Sequence, residues 1–281
     1  MVVLNNGTVT AEISEKGAEI RRLKVNGEDR LWSGDANFWT GTAPVLFPIC
    51  GGLKGDKFIF DGKEYMLRKH GFARDSVFEL EKATGTSAVF LLKSNEQTLK
   101  SYPWEFEFRV KYTLSGASVK VEYDAVNLSQ TVMYTAVGSH EAYACDGGIE
   151  NYDVIFERKE TLKTHRLDGT LISRNTDTVL YESNTLPLYT EYFSIDALIF
   201  TDIKSRFVTL RNRINGKSVS VDFGGFDYLL LWTKPGAPYL CIEPWTTTPS
   251  YTDDGYDLSV KEGMTQVNPG EHFKKTHKIY F

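Results

Sequence analysis

Hydrophobic and polar residues alternate with a period of two along much of the chain. From Trp104, every second residue is apolar (Phe106, Phe108, Val110, Tyr112, Leu114), and the residues between them are Glu105, Glu107, Arg109, Lys111 and Thr113. After Ser115-Gly116 the alternation resumes through Val119, Val121, Tyr123 and Ala125. Successive side chains of a strand point to opposite faces, so this pattern predicts a β-hairpin with one face buried. Similar units recur. Leu23-Lys24-Val25 leads through Asn26-Gly27 to Arg30-Leu31-Trp32, and Phe58-Ile59-Phe60 leads through Asp61-Gly62 to Glu64–Leu67. Asn-Gly and Asp-Gly suit two-residue turns because both central positions take positive φ. Val77–Glu81 and Ala88–Lys93 flank a turn at Thr84-Gly85, and Ser218–Phe223 alternates again. Tyr228–Thr233 is a continuous apolar run, the signature of a strand covered on both faces. Helical spacing is confined to 157–163 and 257–263, each long enough for a turn or two.

No Pro-, Ser- or Gly-rich linker and no fixed-period repeat interrupts the pattern. The expected fold is all-β, with residues 1–281 in one domain built as a large sandwich of two antiparallel sheets. Composition agrees. The chain is 41% hydrophobic and 25% charged, and its 17 Phe, 15 Tyr and 5 Trp supply bulky side chains that prefer strands and fill a core.

Several functions are disfavoured. The net charge of −5, with no basic tract, is wrong for nucleic acid, whose phosphates require clustered Lys and Arg. No apolar run approaches the ~20 residues that span a bilayer, and the N-terminal residues lack the basic and apolar regions of a secretory signal. The sequons at Asn6 and Asn127 are then idle. Cys50, Cys145 and Cys241 are odd in number and far apart, so they read as reduced thiols in a cytoplasmic protein rather than a disulfide framework or a metal site. Gly51-Gly52-Leu53-Lys54-Gly55 lacks the spacing of a phosphate-binding loop, no serine sits in a GxSxG elbow, and no histidine pair has metal-ligand spacing.

Candidate chemistry concentrates in three segments. Glu243 lies in Tyr239-Leu240-Cys241-Ile242-Glu243-Pro244-Trp245, a carboxylate in an apolar, aromatic strand. Alternation places Cys241, Glu243 and Trp245 on one face, and Pro244, which has no N–H to donate, marks an edge or the end of the strand. Desolvation there raises a carboxyl pKa toward that of a useful base, while a buried ion pair with an arginine is the structural alternative. His140, in Gly138-Ser139-His140-Glu141-Ala142-Tyr143, is either a core histidine or a group whose tautomer and pKa are set by Ser139 and Glu141. His70 and Arg74, in His70-Gly71-Phe72-Ala73-Arg74-Asp75, form either a turn with an exposed arginine or a polar pair for an oxygen-rich ligand. His165, His272 and His277 lie among charged residues and read as surface groups.

The ordered segments HGFARD (70–75), GSHEAYA (138–144) and CIEPW (241–245) on an all-β chain resemble the aldose 1-epimerase (galactose mutarotase-like) superfamily. Pro44-Val45-Leu46-Phe47-Pro48-Ile49 resembles the PxLFPI stretch of its bacterial aldose 1-epimerase-related subgroup. The resemblance implies an antiparallel supersandwich with sugar in an open groove. It implies His140 as general acid, Glu243 as general base, His70 and Asp196 as sugar-binding groups, and no cofactor or metal. Trp245 is either core packing or a ring stacked on the sugar. Two departures stand out. Many relatives carry an arginine where this chain has Gly51-Gly52, leaving Arg74 as the nearest substitute. Many also carry proline where this chain has Glu141, a carboxylate expected to hold His140 protonated.

The implied reaction is exchange of α and β anomers of an aldose by acid–base ring opening. A base removes the anomeric hydroxyl proton while an acid protonates the ring oxygen. Three alternatives remain: a sugar phosphate as substrate, held by Arg74 with Lys54, Lys57 and Lys69; a non-catalytic carbohydrate-binding protein on the same scaffold; and a glycosidase pairing Glu243 with Asp196 or Glu141. The expected partner is a small-molecule sugar, and the expected state is a monomer or homodimer.

Overall fold

The computed structural model describes residues 1–281. Its largest sheet has nine antiparallel strands in the order Leu171–Pro187, Tyr152–Asp168, Phe207–Asn212, Ser218–Asp222, His272–Tyr280, Ser118–Asn127, Phe106–Ser115, Ser87–Lys93, Glu79–Ala83. A second sheet has four strands, in the order Glu141–Ala144, Tyr239–Trp245, Tyr228–Trp232, Leu198–Phe200. A further four-stranded sheet at the N-terminus and two short ladders complete the fold. The protein is an all-β assembly of large antiparallel sheets. No helix is long and apolar enough to cross a membrane.

The hairpin around Ser115-Gly116 forms as its pattern predicts, with Phe106, Phe108, Val110, Tyr112 and Leu114 buried and their neighbours toward solvent. The two short turns adopt the expected backbone: Asn26 and Gly27 have φ of 50° and 85°, Asp61 and Gly62 of 50° and 71°. Tyr228–Trp232 is buried on both faces, as a central strand of its sheet must be. One contiguous apolar core, in which 63 buried side chains touch, runs through both large sheets.

Neither expected helical segment forms. Residues 157–163 lie within the long strand Tyr152–Asp168, paired across several bulges with Leu171–Pro187. Tertiary pairing overrides local preference here, and Glu160 is the clearest sign. Its carboxylate accepts hydrogen bonds from the Ser205 N–H at 2.6 Å and the Ser205 hydroxyl at 2.7 Å, which a helix would forfeit. Residues 257–263 form turns around the buried Lys261, whose ammonium donates to Thr247 Oγ1 and the Thr248 carbonyl. The one α-helix, Glu96–Ser101, is closed at its start by a reciprocal cap between Asn95 and Thr98.

Candidate active site

The smaller sheet carries the site. Glu243 lies on Tyr239–Trp245, opposite Leu230 of the neighbouring strand, and is 1% exposed. The strand is internal to the sheet and ends one residue after Pro244, so the proline marks a terminus rather than an edge. His140 immediately precedes Glu141–Ala144 on the other side of the same strand. Its Nε2 stands 3.4 Å from Glu243 Oε2. Glu243 therefore faces a histidine, and the ion pair with an arginine does not form.

His70 completes the floor. Its ring lies 5.8 Å from that of His140 and 5.4 Å from that of Trp245, edge-on to both. The Gly51 N–H donates to His70 Nδ1 at 3.1 Å, and the His70 N–H donates to the Gly51 carbonyl at 2.9 Å. The first bond needs a lone pair on Nδ1, so the ring proton sits on Nε2. Gly51 is thus part of the histidine's cradle. A Cβ on Gly51 would lie 2.6 Å from Pro249 Cγ, and one on Gly52 would lie 2.7 Å from Thr170 Oγ1. An arginine has no room there. His70 itself takes a φ of 69°, and the next residue, Gly71 (φ 71°), passes so close to Phe47 that a Cβ would lie 2.2 Å from its carbonyl oxygen.

A cleft of about 300 Å³ opens above these residues. His70, His140, Glu243, Asp196, Arg74 and Trp245 all line it. Lys69 is also in the wall, with Nζ 3.7 Å from Asp196 Oδ2. The Arg74 guanidinium donates to the Lys69 carbonyl at 3.2 Å, so both cations lie on one side. Lys54 and Lys57 do not join them: Lys54 donates to the Asp254 carbonyl and Lys57 pairs with Glu64. Trp245 is nearly buried, and its indole N–H donates to the Ser139 carbonyl at 3.1 Å.

Two tryptophans in the wall are absent from the sequence-derived site candidates. Trp39 lies tilted over the His140 ring at 5.0 Å, and Trp232 meets it edge-on at 5.6 Å. Trp39 sits in an irregular loop with no periodicity. The only local signal is Gly41, where a Cβ would fall 2.4 Å from the folded-back indole.

Burial sets the electrostatics. Desolvation pushes the Glu243 carboxyl well above its usual range. It pulls His140 down to about 3, helped by the positive charges of Lys69 and Arg74. His70 is also held well below its usual value, first by burial and then by His140. The His140 imidazole is thus neutral near neutral pH, and the Glu243 carboxyl holds its proton more tightly than an ordinary carboxylate. This departs from the expectation that Glu141 holds His140 protonated. Glu141 faces away from the cleft, where its Oε1 lies 3.1 Å from His277 Nε2. His277 is 1% exposed rather than a surface group. Its parity with Phe273 and Ile279 along His272–Tyr280 places it on the buried face, and that alternation was the available signal.

His140, Cys241 and Glu243 also bring one possible ligand atom each to within 4.8 Å of one another. Spacing along the chain gives no hint of this, since strand pairing alone unites positions 140 and 241. A wider basin of about 870 Å³ lies along the 152–187 hairpin, but no hydrophobic residue lines it. Its Glu160 is committed to Ser205, and both ring nitrogens of its His165 are paired, with the Ser173 carbonyl and Thr201 Oγ1.

A β-sandwich of this topology, with a histidine and a glutamate on the floor of an open cleft, is of the galactose mutarotase-like class. The chain superposes on a galactose mutarotase related enzyme from Lactobacillus acidophilus with a TM-score of 0.94 and 32% identity, over 99% of this chain and 96% of that one. A galactose mutarotase-like protein from Lactobacillus casei gives a TM-score of 0.92 and 28% identity, over 100% and 99% of the two chains. Protein LacX of Lactococcus lactis subsp. lactis, in its plasmid form, is 34% identical over 293 aligned residues, covering 99% of this chain and 98% of LacX. The aldose 1-epimerase family model matches residues 1–280, and the chain belongs to that family.

Proposed function

We propose that the protein is an isomerase that interconverts the α and β anomers of a free aldose. The observation that carries this reading is the 3.4 Å approach of His140 Nε2 to Glu243 Oε2 at the bottom of a sugar-sized cleft. The anomeric oxygen and the ring oxygen are bonded to the same carbon, so one acid and one base side by side reach both. For ring opening, Glu243 takes the proton of the anomeric hydroxyl while protonated His140 gives one to the ring oxygen, and the bond from C1 to that oxygen breaks. The aldehyde turns about the C1–C2 bond and presents its other face. Ring closure reverses both transfers. The scheme starts from the ion pair, which the neutral pair reaches by passing the carboxyl proton to the imidazole. Ionised Glu243 with protonated His140 holds as many protons as the neutral pair, so ring opening moves the site between two states of equal charge. In a desolvated cleft the neutral one is favoured.

The other lining groups take positioning roles. His70 Nε2–H is a donor for a sugar oxygen beside the reacting carbon. Asp196, held by Lys69, accepts from sugar hydroxyls. Trp39 and Trp245 offer apolar faces to the ring. Following anomer equilibration of a panel of aldoses by NMR saturation exchange tests the reading. Acceleration of at least one sugar is expected, and binding of a sugar without acceleration overturns it in favour of a non-catalytic carbohydrate-binding protein.

A phosphorylated sugar is the second reading, favoured by the convergence of Lys69 and Arg74 on one wall. Inorganic phosphate at millimolar concentration would then inhibit. Indifference to phosphate, with turnover of the free sugar, removes this alternative. The glycosidase reading lacks support, because Glu141 faces out of the cleft and Asp196 is engaged by Lys69.

A further inference from the structure

One group beneath the acid–base pair has no part in proton transfer. Cys241 precedes Glu243 by two residues on one strand and so projects from the same face. It is a free thiol, fully buried, below the cleft floor. Its sulfur, a His140 ring nitrogen and a Glu243 oxygen lie within 4.8 Å of one another. His140 Nδ1 is buried and has no hydrogen-bond partner.

We propose that His140, Cys241 and Glu243 form a site for one divalent cation of the zinc class, and that this cation excludes the sugar. The donor set is the argument. An imidazole nitrogen, a sulfur and a carboxylate oxygen together suit zinc and its borderline-soft neighbours, whereas magnesium and calcium take oxygen cages. Zinc bonds of about 2.0–2.3 Å in a tetrahedron separate the ligand atoms by roughly 3.3–3.8 Å. The histidine and glutamate atoms already stand 3.4 Å apart, and the sulfur lies within 4.8 Å of each. Three protein ligands leave the fourth position facing the cleft, where water completes the shell. On binding, the thiol proton and any proton on the Glu243 carboxyl leave to solvent, so that thiolate, carboxylate and neutral imidazole are the ligands.

Such a site is exchangeable rather than structural. A histidine in a durable metal centre donates its second nitrogen to a carboxylate or carbonyl, and His140 has no such partner. The cation also consumes the two groups assigned to acid–base chemistry, so it switches the site off. That inhibitory consequence rests on the isomerase reading, while metal binding itself does not.

Titration of the full native chain with Co²⁺ tests the proposal. One equivalent should bind and give the near-ultraviolet thiolate-to-cobalt charge-transfer band and the intense visible bands of a four-coordinate site. Zn²⁺ should displace it. Cys241→Ser should abolish the charge-transfer band and weaken binding at least tenfold. Cys241→Ala serves the same purpose should the serine variant fail to fold. Absence of the band in the native protein, or its persistence in either variant, overturns the site. Anomer exchange unaffected by Zn²⁺ at concentrations that fill the cobalt site overturns it as well. A cysteine-dependent cobalt spectrum in a protein that exchanges no anomers leaves the site standing and removes the isomerase reading instead.

Discussion

Glu141 Oε1 meets His277 Nε2 at 3.1 Å in the interior of the protein, joining the sheet that carries His140 and Glu243 to the nine-stranded sheet opposite. Both side chains are almost wholly enclosed, and Tyr123 stacks on the His277 ring at 5.8 Å. The contact anchors the strand that begins one residue after His140. Removing one member leaves the other's polar atoms buried without a partner, which costs about 3 kcal/mol or more. Glu141→Ala and His277→Ala should each lower stability by that amount, and the double variant should cost less than the sum. Urea denaturation of the four proteins measures the cycle. Additive losses would show that the pair is not a coupled unit.

Glu243→Gln and His140→Asn should each reduce anomer exchange by about 10²–10⁴-fold, the usual contribution of a positioned acid or base. Both should retain the fold. Burial disfavours the Glu243 carboxylate, so a neutral amide of the same shape replaces it at little cost. Saturation-exchange rates and thermal unfolding of the variants check both halves, and full activity in either variant contradicts the assigned roles.

Acid should destabilise the protein through its cleft histidines. His140 falls from an ordinary 6.5 to about 3 in the folded chain, and His70 is lowered in the same direction. Between these values the unfolded chain binds protons that the folded chain refuses, so the contribution of His140 is complete above about pH 6.5 and is lost as pH falls toward 3, while the raised Glu243 carboxyl acts with the opposite sign above its ordinary range. His140 contributes a slope of about 1.4 kcal/mol per pH unit in that window, and His70 adds to it in the same direction. Urea midpoints at pH 4.5, 5.5 and 6.5 should show the slope, and His140→Asn should flatten it. An unchanged slope in that variant would place the acid sensitivity elsewhere.

The glycines that seat His70 should not tolerate a side chain. Gly51→Ala and Gly71→Ala combine a left-handed φ with clashes of 2.6 Å on Pro249 and 2.2 Å on the Phe47 carbonyl. Each substitution should cost about 1–3 kcal/mol and displace His70. Reduced sugar affinity together with a lower unfolding midpoint is the expected signature. Gly62→Ala is a milder comparison, since it shares the positive φ (71°) but has open space around its Cβ.

Trp39→Ala should weaken sugar binding about tenfold, because a ring face in contact is worth about 1.5 kcal/mol, and should also cost some stability, because the half-buried indole packs on Trp232 and Tyr239. A raised KM with a nearly unchanged kcat separates stacking from a role in chemistry.

Strand content, the hairpins and the turn types were legible because period-two alternation and Asn-Gly or Asp-Gly pairs act through neighbouring residues. Glu157-Arg158-Lys159-Glu160 misled because its helix-like composition is local, while the pairing and the Ser205 hydrogen bonds that hold it extended come from other strands. His277 misled for a related reason, since its charged neighbours lie on the other face of its strand. His70, Arg74, His140, Asp196, Glu243 and Trp245 were each identifiable, and all six line one cleft. Trp39 and the part played by Gly51 were not, because no periodicity or charge marks a loop residue that folds back onto a site, and Trp232 was legible only as part of an apolar strand.

The sequence alone determined an all-β chain with three chemically suggestive segments, because side-chain alternation and turn backbone are properties of adjacent residues. Only the tertiary structure decided which of those segments meet. The 3.4 Å approach of His140 to Glu243 depends on the pairing of Glu141–Ala144 with Tyr239–Trp245, about a hundred positions apart. That same pairing sends Glu141 to the far face and leaves His140 in a desolvated cleft, where burial sets its charge.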